Sequence, residues 1–171
     1  MCAHTRRLFL TAMLGGVIAP WITNPLPITG QSSPTSDEDR LLLGTWKLNA
    51  AQSKYKRGVP PRSQIRIYEP QGQGVKATIK TVYADGRSTT VEYVANYDSL
   101  EYPVTGSPDV DTIALKKVLP RIAQAVLSHA GKVMATARRV ISEDGKTMTI
   151  EYQGELLGEQ VDYVAVYNKE Q

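Results

Sequence analysis

Arg138 and Arg139 stand side by side, and on a strand such neighbours face opposite ways. Arg138 shares a side with Thr136 and Met134, while Arg139 shares one with Ala137 and Ala135, the more apolar set. An inward Arg139 could pair with an anion in a pocket, because a guanidinium fork matches a carboxylate with two parallel hydrogen bonds. It could equally stack on the ring of Trp46 or close one end of the fold. Tyrosine is the other chemical signal. The chain has nine tyrosines but a single phenylalanine, Phe9. A core filled for stability alone would use Phe freely, whereas a buried Tyr brings a hydroxyl that needs a partner. Tyr93, Tyr97, Tyr163 and Tyr167 fall on expected inward faces and, with Arg139, are the expected ligand-binding set. The competing reading places those rings at wet barrel ends.

Other chemistries are poorly supplied. Cys2 is the only cysteine, and His129 is the only histidine beyond His4. No metal site and no cofactor is therefore expected. His129 lies beside a glycine turn and reads as solvated. Glu92 and Glu151 could serve a metal-free isomerase or cyclase if they faced inward, but alternation places both outward. An enzyme is the less favoured option. Asp98, Glu101, Asp109 and Asp111 are too sparse for a calcium loop and suggest a rim loop over 97–112. Lys54-Tyr55-Lys56-Arg57 reads as a solvated loop.

These side chains must be positioned by strands. Val75, Ala77, Ile79, Thr81 and Tyr83 alternate with Lys76, Thr78 and Lys80. The same period of two runs through Val91–Tyr97, Met148–Tyr152, Val161–Tyr167 and Ile65–Tyr68. Asp85-Gly86, Ala130-Gly131 and Asp144-Gly145 supply hairpin turns. Residues 119–129 fit a strand or a helix, and the tight turn before Lys132 favours the strand. A meander this long exposes two edges unless it closes, so the expected fold is all-β. It is a single antiparallel up-and-down barrel of about eight to ten strands over 40–171. An interior of that size is either filled or holds one small ligand.

Residues 1–31 read as an export signal. Arg6-Arg7 precede an apolar run from Leu8 to Ile22, which is broken by Pro20 and short of the roughly 20 residues a bilayer span needs. Paired arginines before Leu8-Phe9-Leu10 give it a twin-arginine character. Residues 32–39, rich in Ser and acidic groups, read as a flexible tether. The formal charge of +3 includes Arg6 and Arg7 and falls to +1 without them. That balance offers no basis for binding nucleic acid or an anionic membrane.

Gly44-Thr45-Trp46-Lys47-Leu48 resembles the opening Gly-x-Trp of the calycin families, the lipocalins and fatty-acid-binding proteins. The resemblance implies that Trp46 lies at the closed end of a barrel, with a basic residue of a late strand over its ring. Gly44, Trp46 and Arg138 are the expected closure set, with Arg139 as an alternative cation. Four ordered segments resemble small exported bacterial proteins described as lipocalin-like: Gly44–Asn49, Tyr102–Gly106, Thr136–Arg139 and Asp144–Thr147. Two departures stand out. Fatty-acid-binding proteins clamp a carboxylate with Arg-x-Tyr near the end of the last strand, and no Arg stands two before Tyr163 or Tyr167. Arg66-Ile67-Tyr68 has that spacing but on an early strand, and its role is not carried over. The cysteine pairs of secreted lipocalins are also missing.

The expectation is thus an exported monomer, periplasmic or extracellular. It would touch a membrane only through an uncleaved leader and hold a small hydrophobic or amphipathic molecule inside a barrel. The alternatives are a solid-core interaction barrel and the metal-free isomerase or cyclase.

Overall fold

The computed structural model describes residues 37–171 except 157, so the expected leader and most of the expected tether lie outside the described residues. Helix α1 (Asp37–Leu42) straddles the expected boundary between tether and barrel. It is followed by β1 (Gly44–Leu48), β2 (Lys54–Arg57), β3 (Ser63–Gln71), β4 (Gly74–Val82), β5 (Ser88–Ala95), β6 (Asp98–Thr105), β7 (Thr112–Leu119), β8 (Ile122–His129), β9 (Lys132–Ile141), β10 (Thr147–Leu156) and β11 (Glu159–Lys169). From β3 to β11 each strand pairs with the next in antiparallel fashion, and β1 pairs with both β3 and β11. Ten strands therefore close an up-and-down barrel, as expected from the alternation.

β2 is a continuation of the first strand after a break. β1 covers Tyr167–Lys169 of β11, and β2 covers Asp162–Val164 of the same edge. Between them, the Asn49 N–H donates to the Val166 carbonyl, and the Val166 N–H donates to Ser53 Oγ at 3.0 Å. A side-chain hydroxyl thus fills the ladder where the backbone departs. The run Lys54–Arg57 is consequently strand and not the expected loop, and it turns Tyr55 toward the interior.

The register identifies the inner face. Trp46 lies opposite Arg66 on β3, so these two residues share a face. Arg66 and Tyr68 are buried, while Ile65 and Ile67 form the outer side of β3. β8 settles the ambiguous segment as strand: Ile122–His129 pairs with β9, and Pro120-Arg121 make the turn before it. Of the expected hairpins, only Ala130-Gly131 has positive φ at both central residues, at 49° and 77°. This matches a turn whose twist suits the flanking strands. At Asp85-Gly86 and Asp144-Gly145 only the glycine does so, and each aspartate instead accepts the N–H two residues on.

The rim loop expected over 97–112 is shorter in fact. Residues 98–105 are β6, and the acidic cluster is divided between two ends of the barrel: Asp98 accepts from the Tyr102 hydroxyl, whereas Asp111 accepts the Ala130 N–H. β5 and β6 meet only at Glu92/Thr105 and Tyr93/Val104, the thinnest seam in the wall. One end is plugged by α1 and Trp46. The other, between the β2–β3, β4–β5, β6–β7 and β10–β11 connections, is the mouth of an internal cavity. Among the described residues no helix is long and apolar enough to cross a membrane.

Candidate functional site

At the plugged end, Trp46 has no exposed surface. Its Nε1 donates to the Leu42 carbonyl at 2.7 Å, which satisfies the one polar atom of the ring. The cation over the ring is Lys169, whose Nζ sits 5.3 Å from the ring centroid and donates to the Leu41 carbonyl at 2.9 Å. Gly44 leaves room for that crossing. A Cβ at this position would lie 3.3 Å from Lys169 Cε, and its φ of +112° disfavours any other residue. Arg138 does not take the expected closure role. It points outward, where its guanidinium meets Glu151 at 3.7 Å. The late-strand cation implied by the family resemblance is present, but it comes from β11.

Above this plug lies a cavity of about 550 Å3. Small residues make the room. Ala125 and Ala137 face each other across β8 and β9, and Ala123 lies opposite Arg139. All three line the cavity, along with Ile79, Val91 and Ile113.

Two arginines form its polar floor. Arg66 is only 6% exposed. Its Nη2 donates to the Tyr152 hydroxyl at 2.8 Å, its Nε to Gln64 Oε1 at 3.1 Å, and its Nη1 to the Tyr68 hydroxyl at 3.4 Å. It also lies over the rings of Tyr167 and Tyr152, at 5.1 and 5.9 Å. The Tyr167 hydroxyl donates to the same Gln64 oxygen at 2.5 Å. Arg139 donates from Nη2 to the Tyr97 hydroxyl at 2.7 Å and lies over Tyr68 and Tyr97. Its Nε is buried without a hydrogen-bond partner.

The electrostatics follow from this crowding. Burial disfavours the charge on both arginines, but the surrounding tyrosine oxygens outweigh it and hold both guanidiniums protonated. Burial pushes the Tyr93, Tyr163 and Tyr167 phenols above their ordinary value. Tyr68 goes the other way: burial raises it, and the combined charges of Arg66 and Arg139 bring it below its usual range.

Four of the five expected ligand-binding residues line the cavity: Tyr93, Tyr163, Tyr167 and Arg139. Tyr97 does not. It sits beneath Arg139 beside a small void of about 10 Å3 and supports the guanidinium from below. Arg139 meets tyrosines, while Trp46 is covered by Lys169. Sequence reasoning missed Arg66, Tyr68, Gln64 and Tyr152 as lining residues. The Arg-x-Tyr spacing at 66–68 was the available signal.

Glu92 and Glu151 both lie on the outer face. Glu92 accepts from Thr78 Oγ1 at 2.9 Å, and Glu151 meets Arg138. His129 is half-exposed, with Nδ1 3.6 Å from Asp111. Among the described residues no group of His, Cys, Asp and Glu is placed to hold a metal ion.

No family model matches the chain, and no curated protein matches it. Five solved chains do. One of them is the structure of EF1p2_mFAP2b bound to DFHBI. It is 14% identical, the match covers 77% of this chain and 95% of that one, and the TM-score is 0.38. That likeness is too distant to bear on function.

Proposed function

We propose that this barrel is an exported binding protein that holds one small amphipathic molecule in its interior. The observation that carries the reading is the cavity. Its volume of about 550 Å3 falls within the range of roughly 300–1,000 Å3 usual for small-molecule sites. Its walls combine alanine and branched aliphatic side chains with a few convergent tyrosines and, at the floor, Arg66 and Arg139. Burial of apolar ligand surface would supply affinity, and the polar floor would set orientation. A solid-core barrel would lack this room. The outward placement of Glu92 and Glu151 favours binding over the isomerase or cyclase alternative.

Export is part of the proposal. It rests on Arg6-Arg7 ahead of the Leu8–Ile22 run and on the resemblance to exported lipocalin-like bacterial proteins. A periplasmic or extracellular monomer is the corresponding state.

The test uses the full chain. N-phenyl-1-naphthylamine, a neutral apolar fluorophore, should bind saturably with one site per chain and be displaced by a lipophilic extract of the native host. Native mass spectrometry of chain purified from that host should show an added small mass. Failure of the fluorophore to bind at all, together with a bare mass, would overturn the proposal.

A further inference from the structure

The cavity floor has a surplus of donors. Arg66 and Arg139 both carry their charge inside the barrel, and no ion pair among the described residues involves either of them. Their partners are neutral: the hydroxyls of Tyr68, Tyr152 and Tyr97, and the Gln64 oxygen. The carboxylates that line the cavity, Asp85, Asp109 and Glu159, belong to the loops and strand end at its mouth. Asp85 is already engaged by Arg87 at 2.6 Å.

Each tyrosine oxygen that accepts from an arginine must send its own proton elsewhere. Tyr68 and Tyr152 therefore become further donors at the same floor. Arg139 Nε is buried with nothing to receive its hydrogen bond. Buried charges are normally paired. Two unpaired guanidiniums around one tyrosine, Tyr68, thus describe a site built for an anion that the protein itself does not supply.

The wall beside this floor has a shape of its own. Tyr163 stacks on Tyr55 and lies tilted against Tyr152, with ring centroids 4.9 Å apart in both pairs and interplanar angles of 25° and 30°. All three line the cavity, and Tyr152 also receives the Arg66 hydrogen bond. A planar conjugated molecule can continue such a stack, whereas a flexible alkyl chain gains no offset-stacking geometry from it.

We infer that the ligand is a planar aromatic or conjugated anion, its oxyanion held between Arg66, Arg139 and Tyr68 and its ring plane continuing the Tyr55–Tyr163–Tyr152 stack. This rests on the binding reading above and specifies its ligand class. The anion would take the donors that the fold leaves unused.

The experiment is a displacement series on the full chain loaded with N-phenyl-1-naphthylamine at neutral pH. Three displacers are compared: 2-naphthoate, its neutral isostere 2-naphthamide, and octanoate. Naphthoate should displace at about tenfold lower concentration than naphthamide, the worth of one added hydrogen bond between charged groups. It should also outcompete octanoate, which has the charge without the plane. In Arg139→Gln, with each displacer titrated directly by calorimetry, the preference of naphthoate over naphthamide should collapse. Equal displacement by naphthoate and naphthamide overturns the anion assignment, and octanoate matching naphthoate overturns the planar one. A preference that survives Arg139→Gln overturns the proposed floor. The wild-type series decides the matter even if that variant fails to fold. A fluorophore that never binds instead removes the binding reading, so the two failures are distinct.

Discussion

The two ends of the interior solve the same problem in opposite ways. At the plugged end the indole N–H and the lysine ammonium are both matched. The Trp46 N–H meets the Leu42 carbonyl, and the Lys169 ammonium meets both the Leu41 carbonyl and the indole face. Met148 fills the remaining space with no exposure. In the cavity, by contrast, polar groups are crowded and left short of partners, with two guanidiniums facing only neutral oxygens. The plugged end is organised for stability. The cavity carries an uncompensated positive charge that a stability-driven core would not keep, and proteins commonly retain such features where they bind something.

That contrast can be broken most forcefully at Trp46. Trp46→Ala should remove about 3–5 kcal/mol of stability and leave a chain barely folded at ambient temperature, as read by urea unfolding. Alkaline pH attacks the other region. Tyr93, Tyr163 and Tyr167 have phenols raised above their ordinary value near 10, so the folded state keeps protons that the unfolded chain has lost. Stability is fully present below pH 10 and should fall as pH rises through and beyond it, by up to about 1.4 kcal/mol per pH unit for each retained proton. Tyr68, lowered by the two arginines, and Lys169, lowered by burial, oppose this, while the raised phenols of Tyr55 and Tyr102 add to it. Thermal melts on either side of pH 10 check the sign.

Smaller effects sharpen the difference between the regions. Lys169→Met should cost about 1 kcal/mol through the lost carbonyl hydrogen bond and ring contact. Arg139→Met should do the reverse and raise the unfolding free energy by about 1 kcal/mol, because it removes a buried charge with no anionic partner. A strongly destabilised Arg139→Met would place this residue among the structural ones. Arg138→Ala, one position away but on the outer face beside Glu151, should change stability by less than about 0.5 kcal/mol.

The barrel itself was legible because period-two alternation recurs in most of its strands and Gly-x-Trp marks the first. What alternation does not reveal is which side of a strand faces in. On β3 the aliphatic side, Ile65 and Ile67, looks like the core face, yet Arg66 and Tyr68 are inside because Trp46 pairs opposite Arg66. A polar cavity inverts the usual inside-apolar rule at the positions that line it. β2 was hidden for a related reason: a single Tyr55 among three cations carries almost no periodic signal, and its strand identity comes from pairing with β11. Lys169 was overlooked because its role depends on a register that joins chain positions far apart, with Trp46 opposite Lys169. Arg139, next to Ala137 and Ala135, was readable because its neighbours are small and apolar, and the structure places it in the cavity as that pattern suggested.

The interior has room for a guest. The direct measure of that room is the affinity of N-phenyl-1-naphthylamine for Ala125→Trp, which puts an indole on β8 at a position that lines the cavity. This variant should stay folded by circular dichroism and lose fluorophore binding. A folded Ala125→Trp that binds as tightly as the unaltered chain would contradict it, because the guest would then be sitting elsewhere.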